Sequence, residues 1–287
     1  MLRGIYTGAA GMVVQQNRLD AISNNLANVD TTGYKRDTAI QKAFPELLLR
    51  RMSDDGVTQF PYRHPVVGSF DSAAVVGSIG TGVETNEVFT AFTQGGLRQT
   101  ENSFDLALDG DGFFVVQTPY GERYTRNGSF LIGSEGMLVT KQGYPVLGEN
   151  GPIQLKLNNF VVNEDGVIYE NTDFADDPRR LVSMRENEWL NTVEVDRLQI
   201  VQVRQPRYLQ KQGDSFWRTT EESGEAAIVT AGRPKVRQGF LEGSNVNPVT
   251  EMVQMIEVNR AYEANQKVIQ AQDQATSRLI NEAMRLR

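Results

Sequence analysis

The sequence predicts an α+β protein, with a helix at each end of the chain, an antiparallel β domain between them and one extended loop. Three observations carry that expectation. Apolar residues near both termini recur at alternating steps of three and four, the middle of the chain alternates with period two, and glycine-centred turns punctuate that middle. The chain has 287 residues, 39% of them hydrophobic, enough for one large or two modest domains with a core. The expected divisions are 1–36 for the N-terminal part of a helical domain, 37–82 for an extended linker, 83–243 for the β domain, and 244–287 for the C-terminal helix that completes the helical domain.

The N-terminal element starts from Ile5. Its seam runs Ile5, Ala9, Met12, Gln16, Leu19, Ser23, Leu26, a heptad pattern softened by two polar positions. The following stretch, "ISNNLANVDTTGYKR", carries Asn24, Asn25 and Asn28 within five positions. Asparagine is a poor helix former because its short amide competes for nearby backbone groups. Two readings stand side by side. The amides bond to neighbouring helices and set register between subunits, or Asn and Thr cap a fraying helix end locally. Gly33 then supplies a backbone angle that other residues resist.

From about Arg50 to Gly82 the chain is rich in Gly, Pro, Ser and Asp without a firm period, which predicts a long extended loop. "NTDFADDPRR" predicts a second, smaller polar loop. Between Val83 and Gly243 short strands alternate with turns. Phe113–Gln117 predicts a strand, "TPYGE" a turn and Arg123–Arg126 the next strand. Asn127-Gly128 has the composition of a type I′ hairpin, and "SEG", "KQG" and "GENG" predict further turns. "NEDGVIYEN" and "VDRLQIVQV" extend the strand pattern, for a β domain with Greek-key or barrel-like connections. The C-terminal helix carries the seam Val258, Ala261, Asn265, Val268, Gln272, Ala275, Leu279. A second apolar cluster of Val249, Met252, Val253 and Ile256 lies on a different side. A helix with two apolar faces needs two sets of neighbours. An antiparallel hairpin of the two terminal helices covers one face and leaves the other for further partners.

The formal charge of −7 argues against nonspecific nucleic-acid binding. Cysteine is absent, which removes disulfides, thiolate nucleophiles and Cys-ligated zinc. No apolar run reaches the roughly 18–20 residues of a membrane helix, and Gln15, Gln16 and Asn17 interrupt the N-terminal stretch before a cleavage site. Enzyme motifs fail in turn. His64 is the single histidine and sits in the predicted loop. Asp109 and Asp111 have the first two spacings of a calcium loop, but no glutamate follows at the twelfth position, so a Gly-Asp turn into a strand is expected. "GSIGTG" lacks the strand and helix of a dinucleotide site. Asn127 opens an "NGS" that the turn explains without a glycan. No enzyme activity, cofactor or metal is expected.

The N-terminal "IYTGAAGMVVQQNRLDAISNNLANVDTTGYKR" resembles the N-terminal signature of bacterial flagellar rod and hook proteins. "LEGSNVNPVTEMVQMIEVNRAYEANQKVIQAQDQATSRLI" resembles the C-terminal signature of that family, and "ALDGDGFFVVQTPYGERYTRNGSFLIGSEGMLVTKQGYPVLGENGPI" is similar to its β segment. The resemblance implies a structural subunit of the flagellar basal body. Length leaves the two mid-sized rod subunits, and "PVLGENGPIQL" with "LEGSNVNPVTEM" looks closer to the proximal than to the distal one. It further implies a coiled-coil-like pairing of the terminal helices in a concentric tube, self- and co-assembly with neighbouring rod subunits around an export channel, and a rod spanning the periplasm. Export would use the flagellar type III apparatus without a cleaved signal peptide, with no nucleic acid and no membrane insertion. The expected assembly interface is Ile5, Ala9, Met12, Leu19, Asn24, Asn25, Leu26, Asn28, Gly33, Asn245, Val249, Met252, Ile256, Val268, Ala275 and Leu279. Without partners before assembly, the terminal helices are expected to be largely disordered and to fold on docking.

Overall fold

The computed structural model describes residues 2–50, 75–155, 160–171, 192–229 and 232–285. The expected class holds: helix α1 (Leu2–Ala27) and helix α2 (Pro248–Arg285) flank a central antiparallel β region. The chain divides into two compact units, and the divisions fall inside the helices. One unit holds Met1–Ala21, Ala39–Val88 and Gln254–Arg287; the other holds Ile22–Thr38 and Phe89–Val253.

In the first unit, α1 packs on α2 through glycines. Gly4 faces Gln272, and a Cβ at Gly8 would stand 2.9 Å from Ile269 Cγ1. A Cβ at Gly11 would stand 2.8 Å from Asn265 Nδ2. This contact line lies one residue away from the apolar seam of Ile5, Ala9 and Met12, all half-buried. A missing side chain at each of these positions leaves room for Gln272, Ile269 and Asn265 of the facing helix. On α2 the less exposed positions are Val258, Ala261, Asn265, Ile269, Gln272 and Thr276, while Val268, Ala275 and Leu279 are exposed. A helix of 3.6 residues per turn drifts off a strict seven-residue repeat, so the inner line moves from Val268 to Ile269 and from Ala275 to Thr276.

The same unit corrects the extended-loop expectation in part. Val75–Ile79 is a strand, paired antiparallel with Leu47–Arg50, with Leu48 opposite Ser78 and a bulge at Leu49/Arg50. Leu47, Leu48 and Leu49 are all exposed on this ribbon. A second pair joins Asp37–Ala43 to Val83–Thr90. Residues 51–74, with His64, and the "TDFADDPRR" part of the second loop lie outside the described residues.

The second unit is the β region. Its largest sheet has six strands in the order 210–211, 216–218, 121–125, 113–118, 200–203, 226–228, with antiparallel neighbours. A three-stranded sheet of 161–162, 167–171 and 192–197 and several two-stranded pairs complete it. The run "FFVV" explains why Phe113–Thr118 sits mid-sheet. Alternate side chains point to opposite faces; Phe114 and Val116 enter one hydrophobic cluster with Phe130 and Ile200, and Phe113 and Val115 enter another with Tyr124 and Trp217. The strand is buried on both faces and therefore reads as a continuous apolar run.

The turn at "TPYGE" forms as expected, with Thr118 opposite Gly121. Asn127-Gly128 does not form a type I′ hairpin, because neither residue has the positive φ that turn needs. Gly128 is required for another reason: a side chain there would collide with the Leu106 carbonyl, and the Leu106 amide donates to Gly128 O at 3.0 Å. Asp109 ends the strand Leu106–Asp109, opposite Lys235, and Asp111 lies in the bend that follows; the Asp109 carboxylate lies 2.9 Å from Arg237 Nη2. No helix among the described residues is long and apolar enough to cross a membrane.

Candidate functional site

The two sequence signatures meet inside the second unit. The chain leaves α1 through Asn28, whose Nδ2 donates to Asn24 O and whose Oδ1 accepts from Thr31 Oγ1. Gly33 then reverses it with φ of +68°, and its amide donates to Glu242 O at 2.8 Å. A Cβ there would stand 2.6 Å from Arg126 C and Asn127 N. The reversal lays Tyr34, Lys35, Arg36 and Asp37 against the last strand, Phe240–Glu242, and the start of α2. Asn247 caps α2: its Oδ1 accepts from Val249 N at 3.0 Å, and Pro248 occupies the first helical position.

Two buried polar clusters lock this junction. In the first, Lys35 Nζ lies 2.6 Å from Glu242 Oε1 and donates to Thr93 O at 2.7 Å; Lys35 is 0% and Glu242 1% exposed. Glu242 Oε1 also accepts from Gly95 N, and its Oε2 lies 3.3 Å from Arg126 Nη1. Arg126 Nη2 donates to Gly110 O. Two buried cations thus share one carboxylate. Burial pushes the Lys35 ammonium and the Arg126 guanidinium below their usual ranges, opposed in both by the Glu242 charge.

In the second cluster Asn25 is the centre. Its Nδ2 donates to Asp37 O at 2.8 Å and to Glu251 Oε2 at 3.2 Å. Its Oδ1 accepts from Asp37 N at 2.8 Å and from Tyr34 Oη at 3.2 Å. Two donors and two lone pairs are all in use. Glu251 is buried and its Oε1 lies 2.7 Å from Arg36 Nε. Asn245 closes the junction, accepting from Arg36 N and donating to Ala91 O and Thr93 Oγ1. Burial pushes the Tyr34 hydroxyl up, helped by the Asp37 and then the Glu251 carboxylates.

The residues expected at an assembly surface therefore divide. Asn25 and Gly33 are buried, and Asn245 and Asn28 are half-buried with partners in the chain. Asn28 takes the local capping role, and the Asn25 amide is fully engaged within the chain. Ile5, Ala9, Met12, Leu19 and Leu26 are half-buried, and Asn24 is exposed. Val249, Met252, Val253 and Ile256 form an exposed stripe, half or more of each side chain open, and Val268, Ala275 and Leu279 are exposed further along. Sequence reading passed over Lys35, Arg126, Glu242 and Glu251. The available signal was a charge set among apolar and small residues: Glu242 inside "GFLEGSN", and Glu251 one heptad before buried Val258.

A β unit that gathers the inner ends of both terminal helices, and an apolar stripe left exposed on α2, fit a subunit of a larger structure. Three family models match: "Flagella basal body rod protein" over residues 5–35, "Flagellar hook protein FlgE/F/G D1 domain" over 107–170, and "Flagellar basal body rod FlgEFG protein C-terminal" over 237–282. The chain is 32% identical to the flagellar basal-body rod protein FlgG of Buchnera aphidicola subsp. Schizaphis graminum, covering 97% of this chain and 99% of that protein. It is 34% identical to FlgG of Borreliella burgdorferi, over 95% of this chain and 96% of that one. It is 31% identical to the rod protein FlgF of Caulobacter vibrioides, over 94% and 93%. The chain belongs to the flagellar basal-body rod protein family, and is a non-enzymatic structural protein of the flagellar basal body.

Proposed function

We propose that this rod subunit is of the proximal type. It assembles helically with its own copies and with neighbouring rod subunits, through coiled-coil-like packing of the terminal helices, and transmits motor torque around an export channel that it reaches through the flagellar export apparatus. The observation that carries the assembly reading is the stripe Val249, Met252, Val253, Ile256, at i, i+3, i+4, i+7 and half or more exposed. That spacing makes one face of a helix, and such a face loses about 25 cal/mol per Å² of apolar surface left in water. Helical assembly uses two different patches per subunit, so contacts propagate instead of closing a ring. Asn24 and the half-buried seam of Ile5, Ala9, Met12 and Leu19 are assigned to the same interfaces, as are Val268, Ala275 and Leu279. Asn25, Gly33 and Asn245 act behind them by holding the helix ends. The β region is assigned Greek-key connections.

A distal-type subunit is the second reading, favoured by the exposed leucine ribbon at Leu47–Leu49, which is additional sequence after the N-terminal helix. The absence of cysteine makes one experiment clean. Val13 and Val268, both exposed, are replaced by cysteine, singly and together, and isolated basal bodies are treated with a bifunctional thiol cross-linker. A short ladder of self-multimers supports the proximal type and a long one the distal type. Monomer only, absent from basal bodies, overturns the assembly reading.

A further inference from the structure

We propose that the two buried clusters keep the inner ends of both terminal helices folded in the free subunit, as nuclei from which the helices extend when a neighbouring copy docks. Asn25, Lys35, Glu242 and Glu251 are then positioning residues for assembly, although none reaches the assembly surface.

The distribution of burial supports this. Between residues 254 and 284 only Val258 is buried, and between residues 3 and 21 only Gly8, Gly11 and Val14 are. Most of either helix has little apolar burial to set against ordering, which costs about 1–2 kcal/mol per residue in backbone entropy alone. The inner ends differ. Ile22, Asn25 and Glu251 are buried, and they lie in the same compact unit as the β core. Their bonds tie Asn25 to Asp37 and Glu251, and the Glu251 carboxylate to Arg36.

Helix formation stalls at its first turn, which fixes three residues for one hydrogen bond, and then propagates readily. A held end removes that step. On α2 the first turn is already closed, with Asn247 Oδ1 on Val249 N and Asn247 O accepting from Glu251 N at 3.1 Å. On α1 the last turn is closed by Asn28 N bonding Asn24 O and Asn25 O. Docking then extends α2 toward its C-terminus and α1 toward its N-terminus, by propagation alone.

The inference rests on the assembly reading for its purpose and on the junction alone for its geometry, so the test uses the full-length free subunit. Hydrogen exchange is followed by mass spectrometry. Amides at Leu26–Asn28, Arg36–Asp37 and Glu251–Val253 are expected to exchange about a hundredfold more slowly than those at 260–284. Glu251→Ala, which removes the buried carboxylate bonded by Arg36 and Asn25, should speed the inner ends by about a hundredfold while Phe113–Thr118 stays protected. Asn25→Ser serves if that variant fails to fold. Inner ends that exchange as fast as 260–284, or helices protected evenly along their length, overturn the proposal. Variants that leave inner-end protection unchanged overturn it too. Slow inner ends without a cross-linked ladder would count against the assembly reading alone, and fast inner ends with a ladder against this one alone.

Discussion

Replacing Glu242 by Gln should cost more stability than replacing Lys35 by Met, although the two form one ion pair. Both side chains are fully buried, 2.6 Å apart. Glu242 is also paired to Arg126 at 3.3 Å. In Lys35→Met the carboxylate keeps Arg126 and the Gly95 amide, and the main loss is the hydrogen bond to Thr93 O. That places the cost at about 1–3 kcal/mol. In Glu242→Gln two buried cations lose the carboxylate they share and keep only the weaker pull of Asp111, and leaving a buried charge poorly compensated costs about 3–5 kcal/mol. The double variant removes one of the repelling cations, so its loss should fall short of the sum by about 1–2 kcal/mol. The measurement is the urea midpoint of each variant from near-UV circular dichroism. The reporter is the packed ring group of Phe92, Phe113 and Trp217, whose centroids lie 5.5–5.8 Å apart in the same unit. Equal losses in the two single variants, or strict additivity in the double, would refute the shared-carboxylate account.

Two further outcomes follow from the same junction. Gly33→Ala should lose about 2–5 kcal/mol, adding left-handed strain to the clash with Arg126 and Asn127 backbone. Gly143→Ala, with φ of +87° and open space around it, should lose only the strain part, and thermal melts compare the two. The raised Tyr34 sets an alkaline limit. The folded state holds a phenol proton that the unfolded state releases near pH 10, so the group's stabilisation is full below that pH and declines as pH rises through the folded value. Tyr34→Phe should flatten the fall in urea midpoint between pH 9 and 11; a parallel fall in both proteins would exclude Tyr34 as its source.

Much of this was legible in the chain. Helical spacing at both ends and the "FFVV" and "GENG" runs are local signals, and each element they indicate is present in place. Local chemistry misled at Asn127-Gly128, where glycine answers a close backbone approach from Leu106 and not a turn. Of the α2 seam, Val258, Ala261, Asn265 and Gln272 lie on the inner line, while Val268 and Ala275 give way to Ile269 and Thr276 because seven does not fit 3.6 a whole number of times. The polar residues of the first signature announced a constraint without naming its partners, since a cluster of amides near a helix end reads equally as caps or as contacts.

Sequence by itself determined the α+β class, the positions of both terminal helices, the apolar stripe of α2 and the family, because periodicity and motif spacing are properties of neighbouring residues. Tertiary structure decided which polar groups are structural. The Lys35–Glu242 and Asn25–Glu251 contacts join residues 207 and 226 positions apart. A charge or an amide has the same local appearance whether it faces water or a buried partner; only the burial of both members turns it into a clamp, and burial is a property of the folded chain.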